Sequence, residues 1–113
     1  MEVLLWEDDS ALRAGQGKYD ATGVIPCAEH VGQPMGHCTF GVARAGGGYA
    51  TVDITHASGR KCSIFFRLGK PIGSNMSEAE GYKKFTYTKE EDLYMIRNGN
   101  ERYEIPEAVI FGG

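Results

Sequence analysis

Alternation of apolar and polar residues constrains this chain more than any other feature of its sequence. The pattern occurs in three successive segments, CTFGVAR (38–44), YATVDITH (49–56) and KCSIFFR (61–67). A period of two puts alternate side chains on opposite faces of a β-strand. The connecting stretches AGGG and ASGR are rich in residues typical of turns. This part of the chain therefore predicts three consecutive antiparallel strands.

The apolar faces of the second and third segments predict how these two strands pair. Residues that lie opposite each other in an antiparallel pair share a face, so the two apolar faces should be matched. The predicted pairs are Ile54 with Ile64, Val52 with Phe66, and His56 with Cys62. This register requires an odd-numbered connection, or a bulge, around Ser58 and Gly59.

A second hairpin is predicted in the segment DLYMIRNGNERYEI (92–105), where Asn98-Gly99 separates two alternating runs. Asn-Gly is the strongest short-range hairpin signal, because both turn residues adopt positive φ. The predicted pairs are Tyr94 with Tyr103 and Ile96 with Glu101, with Tyr94, Ile96, Tyr103 and Ile105 on one face. One further strand is predicted around Phe85 and Tyr87, and AVIFGG (108–113) is predicted to be a short closing or edge strand.

These segments predict an all-β fold, a small antiparallel barrel or sandwich of about seven short strands. The length of 113 residues fits one domain. We place a single β domain at 15–113 and an N-terminal arm or short helix at 1–14. In the arm, Leu4, Leu5, Ala11 and Leu12 fit an apolar helical stripe, although Asp8 falls on the same face, and Gly15 is predicted to end any helix. The apolar run Leu4-Leu5-Trp6 predicts that the arm packs on something.

Charge and hydropathy exclude some classes of function. The net charge is −3, and the basic residues are scattered along the chain, so nucleic-acid binding has little electrostatic support. No apolar run approaches the roughly 20 residues of a membrane-spanning helix. The opening MEVLLWEDDS turns acidic after a few apolar residues and does not predict a secretory signal peptide. A cytoplasmic protein and a mature exported domain are both consistent with this opening.

The loop AEHVGQPMGHC (28–38) raises three possible chemistries. Cys27 and Cys38 flank a stretch rich in glycine and proline, so the chain could reverse there and join the two thiols. A disulfide would indicate an oxidising compartment. Alternatively, Cys27 and Cys38 could bind zinc with His30 and His37, although the adjacent pair His37-Cys38 points to opposite faces of a strand. A Cys–His nucleophile lacks an evident third group that would orient the base.

Three long stretches resemble a group of small, uncharacterised exported proteins of Gram-negative bacteria. These stretches are AGQGKYDATGVIPCAEHVGQPMGHCTFGVARAGGGYATVDIT (14–55), GRKCSIFFRLGKPIG (59–73) and ERYEIPEAVIFGG (101–113). The resemblance implies a periplasmic or secreted location and a structural disulfide between Cys27 and Cys38. Cys62 departs from the pattern of the group, which suits a buried, inert thiol. The group carries no established activity, so the resemblance implies no function.

Other candidate residues are few. Tyr49, Phe65 and Arg67 would form a binding surface if Phe65 lies outside the core. Glu101 and Glu104 lie three apart on a strand and therefore point to opposite faces, so we interpret them as surface acids and not as a catalytic pair. No sequence pattern indicates a cofactor.

We therefore predict a non-catalytic, exported binding or accessory domain that contacts a protein or an envelope ligand. The alternative is a small-molecule or metal-binding protein, or a minor enzyme, with a pocket near His37, His56 and Cys62. A cytoplasmic location is the alternative if Met1 is the native start. A homodimer formed through the N-terminal arm is a further possibility.

Overall fold

The computed structural model describes residues 9–75 and 84–112. This part of the chain contains eight β-strands and two short helices. Their bounds are α1 Ser10–Gly15, β1 Ala21–Ala28, β2 Gly36–Gly46, β3 Tyr49–Thr55, β4 Lys61–Arg67, β5 Lys70–Ser74, β6 Phe85–Glu90, β7 Leu93–Asn98, β8 Glu101–Pro106 and α2 Glu107–Phe111.

The eight strands form one antiparallel sheet in the order β5-β4-β3-β2-β1-β8-β7-β6. The sheet curls into a nearly closed barrel, in which its two edge strands, β5 and β6, approach each other. The predicted class, a small all-β antiparallel barrel, is confirmed. The strand β1 is the one that joins the two halves, since it pairs with β2 on one side and with β8 on the other.

The interior of the barrel is built from the apolar faces that the alternation predicts. The largest fully buried side chains include Tyr94, Tyr103, Phe66, Ile25, Ile54, Ile64, Ile96 and Ile105. At one end of the barrel, which we call the α2 end, helix α2 adds two further buried residues, Val109 and Ile110. The opposite end, which we call the disulfide end, contains Cys27, Cys38 and the connection between β3 and β4.

Both predicted hairpin registers are wrong by two residues, although the predicted faces are right. The observed pairs are Ile54 with Cys62, Val52 with Ile64, Ile96 with Tyr103, and Asn98 with Glu101. A shift of two preserves the face of every side chain, which is why the apolar faces still meet. The connection between Thr55 and Lys61 is held by hydrogen bonds from His56 N to Arg60 O at 2.8 Å and from Gly59 N to His56 O at 2.8 Å.

Residues 108–111 of the segment AVIFGG belong to helix α2 and not to a closing strand, which corrects the prediction. Pro106 is the last residue of β8 and the N-cap of α2, and Gly112 caps the other end with φ of 78°. The adjacent residues Val109 and Ile110 are both buried, as a single helical turn at the end of the barrel allows. Arg44 Nε donates a hydrogen bond to the Val109 carbonyl at 3.0 Å.

The N-terminal helix α1 lies on the outer face of β2 and β3 and ends at Gly15, as predicted. Its buried residues are Ser10 and Ala14, whereas Leu12 is 65 % exposed. The predicted apolar stripe is therefore wrong for Leu12, because the contact is made through small side chains and the Ser10–Thr51 hydroxyl pair at 2.8 Å. The stripe residues Leu4 and Leu5 lie outside the described residues.

Within residues 9–75 and 84–112, no helix has the length and apolar character that a bilayer span requires.

Candidate functional site

Four neighbouring strands place sulfur, imidazole and phenol groups in one layer at the disulfide end of the barrel. Cys27 on β1 pairs with Tyr103 on β8. On the other side of β1, Cys38 begins the buried face of β2. Thr39 pairs with Thr55, so the next position on β3 places His56 opposite Cys38. The result is a continuous layer of Tyr103, Cys27, Cys38 and His56 around the barrel wall, with all four side chains buried.

Cys27 and Cys38 are joined by a disulfide, as the resemblance implies. The Nδ1 atom of His56 lies 3.3 Å from Cys38 Sγ. The ligand atoms of Cys27, Cys38 and His56 all lie within 4.8 Å of one another. His56 is 5 % exposed, so this contact between imidazole and sulfur is made inside the protein.

A chain of polar contacts connects His56 to the surface. His56 Nε2 lies 2.8 Å from the Tyr103 hydroxyl, and that hydroxyl donates to Glu101 Oε1 at 2.9 Å. The other carboxylate oxygen of Glu101 accepts a hydrogen bond from Arg60 Nε. Arg60 is partly exposed and lines a surface pocket of about 190 Å³ together with Glu29 and His30. The chain therefore runs from the disulfide to solvent.

The hydrogen bonds of Tyr103 determine which nitrogen of His56 carries the hydrogen. An ionised carboxylate can only accept hydrogen bonds, so the Tyr103 hydroxyl must donate to Glu101. The same hydroxyl can then only accept from His56, which places the hydrogen on Nε2. In neutral His56 the lone pair of Nδ1 therefore faces Cys38 Sγ, the atom 3.3 Å away.

Two further polar side chains of this region, Asn98 and Ser74, extend the contacts from Glu101. Asn98 Nδ2 donates to Glu101 Oε1 at 3.3 Å and lies 3.8 Å from Cys62 Sγ. Ser74 Oγ donates to Asn98 Oδ1 at 3.2 Å. We call this set the buried polar cluster, and its members are Cys38, His56, Cys62, Ser74, Asn98, Glu101 and Tyr103. Every buried side-chain nitrogen or oxygen in the described ranges has a polar contact, and for His56 Nδ1 this contact is Cys38 Sγ.

Burial and charge alter the acid–base behaviour of two members of this chain of contacts. Burial raises the pKa of the Tyr103 phenol far above its usual range, and the nearby Cys62 and Glu101 raise it further. Tyr103 therefore keeps its hydrogen and remains a donor. The hydrogen bond to Glu101 raises the pKa of the Arg60 guanidinium, which stays charged.

The structure separates the histidines that the sequence grouped together. His30 and His37 are exposed, whereas His56 is buried against the disulfide. Of the three residues proposed for an interior pocket, His56 and Cys62 belong to the buried polar cluster and His37 does not. The Tyr103 hydroxyl contacts His56 Nε2 at 2.8 Å and also interacts with Cys62.

Glu101 is the residue that the sequence interpretation missed, because it is 3 % exposed and not a surface acid. The predicted opposition of Glu101 and Glu104 is right, since Glu104 lies on the other face of β8. A signal was present in the sequence, because Glu101 shares the parity of the inward-facing Tyr103 and Ile105. A charged residue on the buried face of a strand needs a partner, and Arg60 is that partner.

A second feature lies on the outer face of β1, β2 and β3. A groove of about 400 Å³ crosses these strands, and we call it the aromatic groove; its lining includes Tyr19, Thr22, Val24, Phe40, Asp53 and Thr55. The floor contains Gly23 and Gly41. A Cβ on Gly41 would lie 2.6–2.7 Å from three ring atoms of Tyr19, and one on Gly23 would lie 2.9 Å from the Phe40 ring. The Tyr19 ring therefore lies directly against the backbone on the outer face of the sheet. The Phe40 ring lies on the other face, because Phe40 pairs with Ile54 and Gly23 and packs against the buried core.

Tyr19 is held in the groove by a hydrogen bond from its hydroxyl to Asp53 Oδ2 at 2.8 Å. This bond, together with partial burial, raises the pKa of Tyr19 to about 12. The other Asp53 oxygen accepts from Ser63 Oγ at 2.7 Å. Tyr19 and Val24 are 38 % and 58 % exposed, so the groove presents aromatic and aliphatic surface to solvent beside fixed polar groups.

The predicted binding residues Tyr49, Phe65 and Arg67 lie further round the outer face, on β3 and β4. The Arg67 guanidinium carbon is 6.0 Å from the centroid of the Tyr49 ring, a cation–π distance. Phe65 is half-buried and lies opposite Thr51, whose hydroxyl contacts α1. The structure brings these residues onto one face, and their role in binding stays a prediction.

Comparison with known proteins identifies no matching family model, no similar curated protein and no similar solved structure.

Proposed function

We propose that this chain is a non-catalytic binding domain that acts in an exported, oxidising compartment, periplasmic or secreted, and holds an envelope ligand in the aromatic groove. The observation that carries the proposal is the placement of the exposed Tyr19 ring against the backbone of Gly41 on the open outer face of the sheet. Glycine within a strand weakens it and often marks a place where another group approaches closely. The Cys27–Cys38 disulfide and the resemblance to exported proteins support the compartment.

Of a saccharide and a protein, the chemistry of the groove favours a saccharide as the ligand. The C–H groups on the face of a sugar ring carry a slight positive charge and pack on the negative face of an aromatic ring. The hydroxyls of Thr22 and Thr55 and the carboxylate of Asp53 line the same groove and can exchange hydrogen bonds with sugar hydroxyls. The volume of about 400 Å³ lies within the range of small-ligand sites.

The test is a titration of isotopically labelled protein, followed by NMR, with a soluble β-1,4-linked N-acetylglucosamine tetramer. We expect the amide signals of β1, β2 and β3 that border the groove to shift. Tyr19→Ala should raise the Kd at least tenfold, because it removes the more exposed ring. Tyr49→Ala is the matched control and should leave the Kd unchanged.

Each other result of this titration contradicts a stated part of the proposal. If Tyr49→Ala weakens binding and Tyr19→Ala does not, the ligand binds at Tyr49, Phe65 and Arg67. If the saccharide does not bind, while a defined envelope protein shifts the same groove signals, the ligand class is wrong. Turnover of a substrate that is abolished by one polar substitution would show that the domain is an enzyme.

A metal-binding role is the second candidate, and the juxtaposition of Cys27, Cys38 and His56 favours it. A minor enzymatic activity near His56 and Cys62 has less support, because His56 Nε2 is already hydrogen-bonded to the buried Tyr103 hydroxyl. The metal-binding role concerns the interior of the disulfide end, whereas the aromatic groove lies on the outer face of the sheet. The two roles are therefore independent of each other.

Assembly through residues 1–14 also stays a prediction. Leu12 presents a largely exposed apolar side chain on α1. Deletion of residues 2–13 should convert a dimer to a monomer in light scattering. A full-length chain that is already monomeric would contradict assembly through residues 1–14.

A further inference from the structure

We propose that the reduced form of this protein binds one zinc ion through Cys27, Cys38 and His56. These residues come from three adjacent strands or strand ends, so the sheet itself determines their separation. Their ligand atoms already lie within 4.8 Å of one another, and His56 Nδ1 lies 3.3 Å from Cys38 Sγ. Two thiolates and one imidazole form a donor set that zinc accepts, with a fourth position left to water.

The orientation of His56 supports the proposal independently of the distances. The hydrogen on Nε2 is donated to Tyr103, so the lone pair of Nδ1 faces Cys38 Sγ at 3.3 Å, with Cys27 Sγ within 4.8 Å. A disulfide sulfur carries no hydrogen and cannot donate to that lone pair. A metal ion held between Nδ1 and the two sulfurs would accept the Nδ1 lone pair.

The contacts behind His56 are those of a metal-binding histidine. Such a histidine usually donates its second nitrogen to a carboxylate or another acceptor, which determines its tautomer and its ring orientation. Here that role belongs to Tyr103 and, through it, to Glu101. Arg60 neutralises Glu101, so the chain of contacts adds no net charge beside the metal.

Charge balance favours a divalent thiol-binding ion such as Zn²⁺ over monovalent Cu⁺. All three ligand residues are buried, and an uncompensated charge there would be costly. Two thiolates and Zn²⁺ sum to zero, whereas two thiolates and Cu⁺ leave one negative charge. The neutral imidazole does not alter either sum.

The chemistry balances in two steps. A thiol reductant supplies two electrons and two protons to the Cys27–Cys38 bond, which breaks to give two thiols while the reductant becomes a disulfide. Zinc then replaces both thiol protons, which are released to solvent. The same three residues therefore have two stable arrangements, a disulfide in the oxidised chain and a metal site in the reduced chain.

The experiment compares the oxidised protein with protein that has been reduced, unfolded and refolded without oxygen. Bound zinc is measured by competition with a chromophoric chelator, and the ligand set is tested by substitution with Co²⁺, whose thiolate and tetrahedral absorption bands report the donors. We expect one zinc per reduced chain and none on the oxidised chain. His56→Asn should weaken zinc binding at least tenfold, and Tyr103→Phe should weaken it about tenfold or more through the orientation of His56.

The controls separate this site from the other thiol and the other histidines. Cys62→Ala, and the double variant with His30→Asn and His37→Asn, should bind zinc as the parent chain does. If the reduced chain folds only with zinc, circular dichroism should show zinc-dependent folding of Cys62→Ala and not of His56→Asn. The proposal is overturned if the reduced chain binds no zinc, if His56→Asn binds it equally well, or if Cys62→Ala loses it.

Discussion

At the scale of single residues, the Tyr103 hydroxyl holds the interior of the disulfide end together. It contacts His56 Nε2 at 2.8 Å and Glu101 Oε1 at 2.9 Å, and the whole side chain is 1 % exposed. In water these groups would each have solvent partners, so the hydroxyl matters mainly because its loss would leave buried His56 Nε2 without a partner and would remove one of the two donors to Glu101 Oε1. Removing one partner of a buried hydrogen bond costs more than the bond itself contributes.

Tyr103→Phe should therefore lower the free energy of unfolding by about 1–3 kcal/mol, because His56 and Glu101 each lose a partner. Urea unfolding followed by circular dichroism measures the change. Tyr87→Phe is the matched control on the exposed strand β6 and should change stability by less than about 0.5 kcal/mol. Equal effects of the two substitutions would show that the Tyr103 hydroxyl carries no special role.

The Tyr19 hydroxyl should make stability sensitive to alkaline pH. The hydrogen bond to Asp53 raises the pKa of Tyr19 to about 12, above its value of 10.0 in an unfolded chain. The protonated form is thus favoured by folding, so its stabilisation is fully present below pH 10 and is lost as the pH rises through about 12. The stability difference between the parent chain and Tyr19→Phe should shrink over this range in urea unfolding at stepped pH. A difference that stays constant would contradict the assignment.

At the scale of elements, the α2 end depends on a contact between two turns. The turn between β2 and β3 and the turn between β4 and β5 meet where Gly69 N donates to Gly48 O at 3.0 Å. A Cβ on Gly48 would lie 2.3 Å from Gly69 N, closer than any real contact. Gly48 also has φ of +86°, whereas the neighbouring Gly47 has φ of +64° and a Cβ there would make only an ordinary van der Waals contact, at 3.9 Å from the Tyr49 ring.

These two glycines give a matched pair of substitutions. Gly47→Ala should cost about 1–2 kcal/mol of unfolding free energy, the usual penalty for an alanine at positive φ. Gly48→Ala should cost at least about 2 kcal/mol more, because the backbone of the opposing turn must move. Thermal and urea unfolding of both variants measure the two losses of unfolding free energy. Similar losses in the two variants would mean that the turns do not touch in solution.

At the scale of the whole molecule, the barrel is closed around one covalent link. The disulfide joins β1 and β2 with a sequence separation of 11, beside the strand pair β1–β8 that connects the two halves of the sheet. Small domains bury a modest fraction of their surface, so a cross-link of this kind contributes a large part of the total stability.

Replacing both Cys27 and Cys38 with alanine should lower stability by about 2–3 kcal/mol through the loop entropy of the unfolded chain. Thiol titration provides the direct check on the link. The native protein should show no reactive thiol, since Cys62 is 1 % exposed. The unfolded protein should show one thiol, and the unfolded and reduced protein three. Three reactive thiols in the unfolded, unreduced protein would exclude the disulfide.

The outcome at Asn98 shows why the strand faces could be predicted and the registers could not. Alternation with Ile96 places Asn98 on the inner face, and its amide is satisfied by Glu101 inside the barrel. The turn therefore consists of Gly99 and Asn100, one residue later than the predicted Asn98-Gly99 turn. Turn propensity is local, whereas the demand of a buried amide for partners arises only in the folded barrel.

The sequence by itself determined which residues face inward, because the two-residue period of a strand is a local property of the backbone. It also identified the flanking cysteines. Only the tertiary structure decided that His56 lies against Cys38, that Glu101 is buried with Arg60, and that Tyr19 and Phe40 lie on glycine backbone. Each of these contacts joins residues far apart in the chain, and such pairs are set by the closure of the barrel and by the need to satisfy buried polar groups.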